Sequence, residues 1–395
     1  VVHEASGGTV YMGNTGAGNG GDSQDLSLGD LEEGGTGNHV GGGPARSFTR
    51  VETPEFKALS GHAHTVLPAI LSFLERSSIG DPSFASAVRC VSAWTSVAPT
   101  SLVTVISKKL LQLLLQSTTP NLSVGTIKAD AGASWMAITL AVVPYLPAPM
   151  IHILYKTIRP LLSIDQSISS QKRAYSVLEA VLTLHGDKLF SLEPREAILE
   201  VVNESLMSAH VSARNMRLRC ILTIVGSICS DIQAAAEEKN EAHREDCYGQ
   251  LVNAADATFG ETLICQKDAN QKTRDTAKNI LSQLVLHLEL EPSLARLASA
   301  IVAETPVMRS AAILGLCVAF VQHRGTLGIA QHFPSLLSTT CLLLQEENAE
   351  VSRAVLTFIK VCCAVVPVAS LEDQLPRILS SFCQELGPLK AKFAT

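Results

Sequence analysis

From about Thr53 onward the chain is built of runs mostly of some 12 to 20 residues in which apolar side chains return every three or four positions. Short breaks carrying Pro, Gly, Asp or Ser separate the runs. That spacing lays the apolar residues along one stripe of a helix, so each run predicts an amphipathic helix and each break its end. The pattern predicts helices over 55–76, 82–97, 100–116, 129–143, 148–162, 168–185, 194–207 and 209–236. It continues over 243–257, 269–288, 292–303, 306–323, 327–345, 349–365 and 371–386. No convincing run alternates with the period of two that a half-buried strand needs, so the expectation is an all-α chain.

The helices come in pairs with a shared grammar. Leu67-Pro68-Ala69-Ile70-Leu71 belongs to a Leu-rich first helix, Asp81-Pro82 is a polar turn, and Phe84-Ala85-Ser86-Ala87-Val88 opens a second helix with small residues where two helices cross. Phe333 to Leu344, then Asn348 as a cap before Val351, Ala354 and Val355, repeats it, and Asp268 to Ala277 opens another second helix in the same manner. The period is near ~40 residues, the range of HEAT and armadillo repeats. One such hairpin cannot bury its apolar face alone, so neighbours must stack. The expected fold is therefore an α-solenoid, a HEAT/armadillo-like superhelix with an extended concave surface. Residues 117–128 and the charged run 237–246 read as longer connections between helices.

Residues 1–52 follow other rules. They hold roughly half of the 26 glycines, with Asn, Ser, Thr and Asp between them. So few apolar residues cannot offset chain entropy, and the segment is expected to be disordered. The expected organisation is a Gly-rich segment over 1–52 and a repeat solenoid over 53–395.

Composition narrows the function. Hydrophobic residues make up 46% of the 395 and aromatic ones 5%, which suits helices packed through aliphatic layers. A net charge of −6 argues against a general nucleic-acid binder, although local basic patches remain open. The ten cysteines fall mostly inside apolar helical runs, as reduced buried thiols do, so a reducing compartment, cytosol or nucleus, is expected. The chain starts on Val1 without a secretory pattern, which reads as a fragment or a processed start. Its longest apolar run, 311–321, is about half of the ~20 residues that a spanning helix needs, so no membrane association is expected.

Catalytic and metal patterns fail on context. Gly16-Ala17-Gly18-Asn19-Gly20-Gly21 spells GxGxxG but opens no helix and follows no strand. The eleven histidines are scattered, and Cys362, Cys363 and Cys383 lack the paired spacing of zinc ligands. Val225-Gly226-Ser227-Ile228-Cys229 lacks the closing glycine of a nucleophile elbow. The chain is therefore expected to be non-enzymatic, with no cofactor, no metal and no small-molecule substrate.

Two basic clusters are candidate contacts to phosphate or an acidic partner. Arg214 and Arg217 lie within one turn of each other, with Arg219 beside them. Lys267, Lys272, Arg274 and Lys278 gather at the start of a second-type helix, and positions 267, 274 and 278 share a face if that helix reaches back far enough. The second cluster is the stronger of the two.

Gln171-Lys172-Arg173-Ala174-Tyr175-Ser176-Val177-Leu178-Glu179, the stretch Lys267 to Lys278, and Ser352-Arg353-Ala354-Val355-Leu356-Thr357-Phe358-Ile359-Lys360-Val361 are similar, in order and spacing, to the ribosomal RNA processing protein 12 family. The resemblance covers roughly 55–395 and corresponds to the middle and C-terminal part of a longer protein. It implies a nucleolar HEAT-repeat scaffold that serves pre-rRNA processing, small-subunit precursor assembly and export of pre-ribosomes from the nucleus. Its implied partners are pre-ribosomal particle proteins, pre-rRNA and nuclear transport factors, with shuttling to the cytoplasm. The alternative is a HEAT-repeat adaptor or karyopherin-like transport receptor that binds protein segments.

Overall fold

A computed structural model describes residues 53–118, 128–203, 209–346, 348–381 and 383. The expected disorder of 1–52, the GxGxxG stretch and most of the connection at 117–128 lie outside the described residues.

The described residues form α-helices and short 3-10 turns, and no strand occurs among them. The first eight helices are α1 (Pro54–Leu74), α2 (Phe84–Val97), α3 (Thr100–Thr118), α4 (Lys128–Val142), α5 (Ala148–Ile158), α6 (Ile168–Phe190), α7 (Arg195–Asn203) and α8 (Val211–Glu237). They continue with α9 (Glu241–Cys265), α10 (Gln271–His287), α11 (Leu290–Ile301), α12 (Pro306–Gln322), α13 (Leu327–Leu342), α14 (Ala349–Val365) and α15 (Val368–Glu372). The fold is a two-layered α-solenoid. The even helices α2 to α14 pack side by side in chain order, and the odd helices α1 to α13 each lie against an even partner.

Polar residues written into the sequence set the helix starts. Side chains of Thr53, Ser167, Asn240, Asn270, Thr305 and Asn348 accept hydrogen bonds from backbone N–H groups in the first turn of α1, α6, α9, α10, α12 and α14. Each satisfies a donor that has no partner inside the helix, worth about 1 kcal/mol.

The repeat period reappears in hydrogen bonds between neighbouring hairpins. His185 Nε2 donates to the carbonyl of Val143, 42 residues back, at 2.7 Å. His323 Nε2 does the same to Val285, 38 residues back, at 2.8 Å. The Tyr248 hydroxyl accepts from Glu289 N, 41 residues on. His185 stands at a kink inside α6, with φ of −138° and ψ of 22°, and His323 just past the end of α12. Each satisfies a carbonyl at the end of the preceding even helix, where intrahelical donors run out.

Burial follows the layers. A middle even helix meets neighbours on two sides and an odd helix on a third, so Met136, Ala137 and Ile138 on α4 are all buried. Phe320 on α12 meets Phe333 and Phe358 edge-on at centroid distances of 6.5 and 5.1 Å. Gly315 lets α12 sit close, because a Cβ there would fall 2.6 Å from Leu297 Cδ2 and 2.8 Å from Leu263 Cδ2.

Two sequence expectations change. The charged run 237–246 is no long connection: α8 ends at Glu237, Lys239 turns the chain with φ of 57°, and α9 starts at Glu241. Asn240 caps that start through His243 N, so the run belongs mainly to the solvated ends of two helices. Second, α8 is long and apolar enough to cross a membrane by length and composition. Its packing between α6 and α10 accounts for that character, as does the burial of Ile221, Ile224, Val225 and Ile228.

Candidate partner-binding surface

The turn before α10 is built from its own polar residues. Asp268 accepts from Asn270 N at 2.9 Å, and Asn270 in turn accepts from Lys272 N at 2.9 Å. Arg274 curls back so that Nη1 donates to the carbonyls of Asp268 and Ala269 at 2.7 and 2.8 Å. The next turn repeats the device, with Arg309 Nη1 donating to the carbonyls of Ala303 and Glu304, each at 2.8 Å. Arg274 and Arg309 each stand four residues after the helix cap, a spacing visible in the sequence.

This frame sorts the six candidate cations. Arg214 reaches from α8 to Asp268 Oδ2 at 2.6 Å. Lys267 precedes α10 rather than lying on it, and its Nζ donates to Ser310 Oγ at 2.6 Å and to the Glu350 carboxylate, joining the turn to α12 and α14. That contact holds the Glu350 carboxyl below its ordinary range. Arg217 is 0% exposed, with Nε donating to the Val202 carbonyl at 2.7 Å and Nη1 to Glu261. These three tie repeats together, and the strap of Arg274 closes its own turn. Lys272 and Lys278 lie exposed on α10.

Sequence reasoning passed over two more exposed cations. Arg353 and Lys360 on α14 are exposed and seven residues apart, which puts them on one face. α10 and α14 present the same phase to solvent: counted from the caps Asn270 and Asn348, Lys278 and Leu356 take equivalent exposed positions. Two helices starting with the same cap residue would have revealed this register. The rows are mixed rather than purely basic, since Asp275, held by Gln271 at 2.6 Å, stands between the α10 lysines.

A cleft of about 780 Å³ opens between α7, α8 and α9, with Leu199, Ile224 and Ala254 on its apolar side and Arg159, Arg195 and Asn203 among its polar groups. Arg195 is already engaged by Asp231 at 2.5 Å and Gln250 at 3.3 Å, and stacks on the Phe190 ring at 4.7 Å. Among the described residues, no Ser, Cys or His lines the cleft. Elsewhere burial pushes the Cys229, Cys265 and Cys317 thiols up to about 12, far from the thiolate a nucleophile requires. One trio of metal-donor side chains comes together among the described residues, His243, Asp246 and Cys247 on α9.

Paired helices in two layers, capped at matching positions and cross-linked about forty residues apart, define a HEAT-type helical-repeat protein. The sequence is similar to RRP12-like proteins of Homo sapiens, at 26% identity over 263 residues, and of Gallus gallus, at 26% over 261. It is also similar to a Schizosaccharomyces pombe protein provisionally named ribosomal RNA-processing protein 12, at 22% over 311 residues. These matches cover 63%, 64% and 74% of this chain, and 18%, 18% and 25% of the relatives, so the chain spans a quarter of their length or less. The resemblance seen in residues 171–179, 267–278 and 352–361 therefore leads to relatives of the same name. No family model matches. Among solved structures, Kap121p covers 86% of this chain and 38% of its own, with 15% identity and a TM-score of 0.39. An engineered protein covers 65% and 96%, with 14% identity and a TM-score of 0.35.

Proposed function

We propose that this chain is a non-catalytic scaffold in ribosome biogenesis, in the nucleus and nucleolus, that holds pre-ribosomal proteins and pre-rRNA along its helical repeats. The observation that carries the reading is the similarity to RRP12-like proteins across about two thirds of the chain. Its finer steps are pre-rRNA processing, small-subunit precursor assembly and pre-ribosome export. On this reading Lys272 and Lys278, with Arg353 and Lys360, meet phosphate or acidic side chains. Their neighbours Lys267, Arg214 and Arg217 keep the repeats in register.

The exposed pair is tested by measuring affinity for a structured pre-rRNA fragment against salt. Phosphate contacts release counterions, so each lost contact lowers the log–log salt slope by about 0.7 to 0.9. Reversing Lys272 and Lys278 to Glu should weaken binding and reduce the slope by about 1.4 to 1.8. An unchanged slope would remove these lysines from the interface.

A further inference from the structure

We propose that His243, Asp246 and Cys247 form a three-donor site for a borderline-soft divalent cation of the zinc class on the first two turns of α9. Residues at i, i+3 and i+4 share a helix face, so one helix delivers all three donors without help from distant chain. Their ligand atoms all lie within 4.8 Å of one another. Cys247 Sγ stands 3.7 Å from His243 Nε2 and 3.9 Å from Nδ1. Zinc–sulfur and zinc–nitrogen bonds of ~2.3 and ~2.0 Å at a tetrahedral angle set those atoms ~3.6 Å apart, so the separation suits a shared ion once the exposed His243 ring turns a nitrogen lone pair towards it.

The surroundings favour a cation. Cys247 is buried at 0% exposure, which anchors the sulfur, while His243 and Asp246 are exposed and can adjust around an entering ion. Gln250 Nε2 donates to Asp246 Oδ2 at 3.0 Å and orients the carboxylate, leaving Oδ1 as a donor. Asp231 adds negative charge near the thiol, offset by the Arg195 it pairs with. Of the nearby cations, Arg195 is spent on Asp231 at 2.5 Å and Arg244 on Glu241 at 3.1 Å. A thiolate, a carboxylate and a neutral imidazole balance a dication, and the sulfur selects zinc-like ions over Mg²⁺ and Ca²⁺. Binding sends the Cys247 proton to solvent. Three protein donors leave the fourth position to water or to a partner's side chain.

Cobalt(II) added alone to the intact, reduced chain tests the site. The expected result is thiolate-to-cobalt charge-transfer absorption in the near ultraviolet with visible tetrahedral bands, both displaced by zinc. Cys247→Ala should abolish the charge transfer, with circular dichroism reporting whether the helix survives. Exposed His243 can be replaced without touching the core, so His243→Ala should weaken cobalt by more than ~10-fold in a folded chain. Cys90→Ala and Cys363→Ala should leave the spectrum unchanged. Absence of the bands at a large excess of cobalt, or their persistence in His243→Ala at unaltered affinity, would overturn the site.

Discussion

Replacing one member of the Arg217–Glu261 pair should cost far more than replacing both. Arg217 is 0% exposed and the Glu261 side chain 1%, so neither charge is solvated. The guanidinium uses Nε on the Val202 carbonyl and Nη1 on Glu261, whereas Nη2 and Glu261 Oε2 have no partner among the described residues. The pair joins the last turn of α7 to α8 and α9. Removing one partner of a buried pair leaves an uncompensated charge and costs about 3–5 kcal/mol. Glu261→Leu should therefore destabilise by about 3–5 kcal/mol, and Arg217→Met by as much, because the Val202 carbonyl also loses its donor. Two groups without partners mean that the pair recovers its desolvation only in part. The double variant Arg217→Met with Glu261→Leu should then fall within about 1 kcal/mol of the parent or above it. Urea unfolding followed by circular dichroism gives the cycle, and hydrogen exchange over α7 to α9 gives the local value, since repeat arrays can open in parts. Single losses that add to within about 0.5 kcal/mol in the double variant would refute the coupling.

Glycine substitutions in two helices should act with opposite sign. Gly226→Ala meets nothing within 4 Å and should stabilise α8 by about 0.5–1 kcal/mol, read as a higher urea midpoint. Gly315→Ala gains the same propensity but drives a methyl into Leu297 and Leu263, both at 0% exposure, and should lower the midpoint by a net 1 kcal/mol or more, since overpacking costs about 1–3. Burial lowers the His185 pKa below its ordinary 6.5, with the Val143 carbonyl opposing the shift and Lys188 adding to it. The unfolded chain thus binds more protons, so stability is full above that value and falls as pH drops through it; His185→Gln should flatten the melting temperature against pH. Iodoacetamide should label exposed Cys90 and Cys363 in the folded chain, and reach Cys220, Cys229 and Cys265 only after unfolding, as peptide mass mapping would show.

Helix pairing was legible because caps and apolar spacing act locally. Asn348 caps α14 where the sequence placed it, α10 starts at Gln271 within two residues of the predicted start, and Val351, Ala354 and Val355 face inward as the pattern required. The start of α9 at Glu241 was read to within two residues, although its exposed first turn, rich in Glu, His and Arg, also has the composition of a loop; its end at Cys265 lies eight residues beyond the predicted 257. The candidate surface was legible only in part. Basic residues can be counted in a sequence, but Arg214 meets Asp268 54 residues away and Lys267 meets Glu350 83 residues away. No local pattern carries those pairings, so spent and exposed cations looked alike. The His243, Asp246 and Cys247 trio carries no paired-donor signature, because zinc motifs set donors two residues apart whereas one helix face uses spacings of three and four.

Affinity purification of the tagged chain from nuclear extract, followed by RNA blotting and mass spectrometry, tests the scaffold reading most directly. Pre-rRNA and small-subunit precursor proteins should co-purify and fall away together as salt is raised. Recovery of transport cargo with no ribosomal precursor would contradict it.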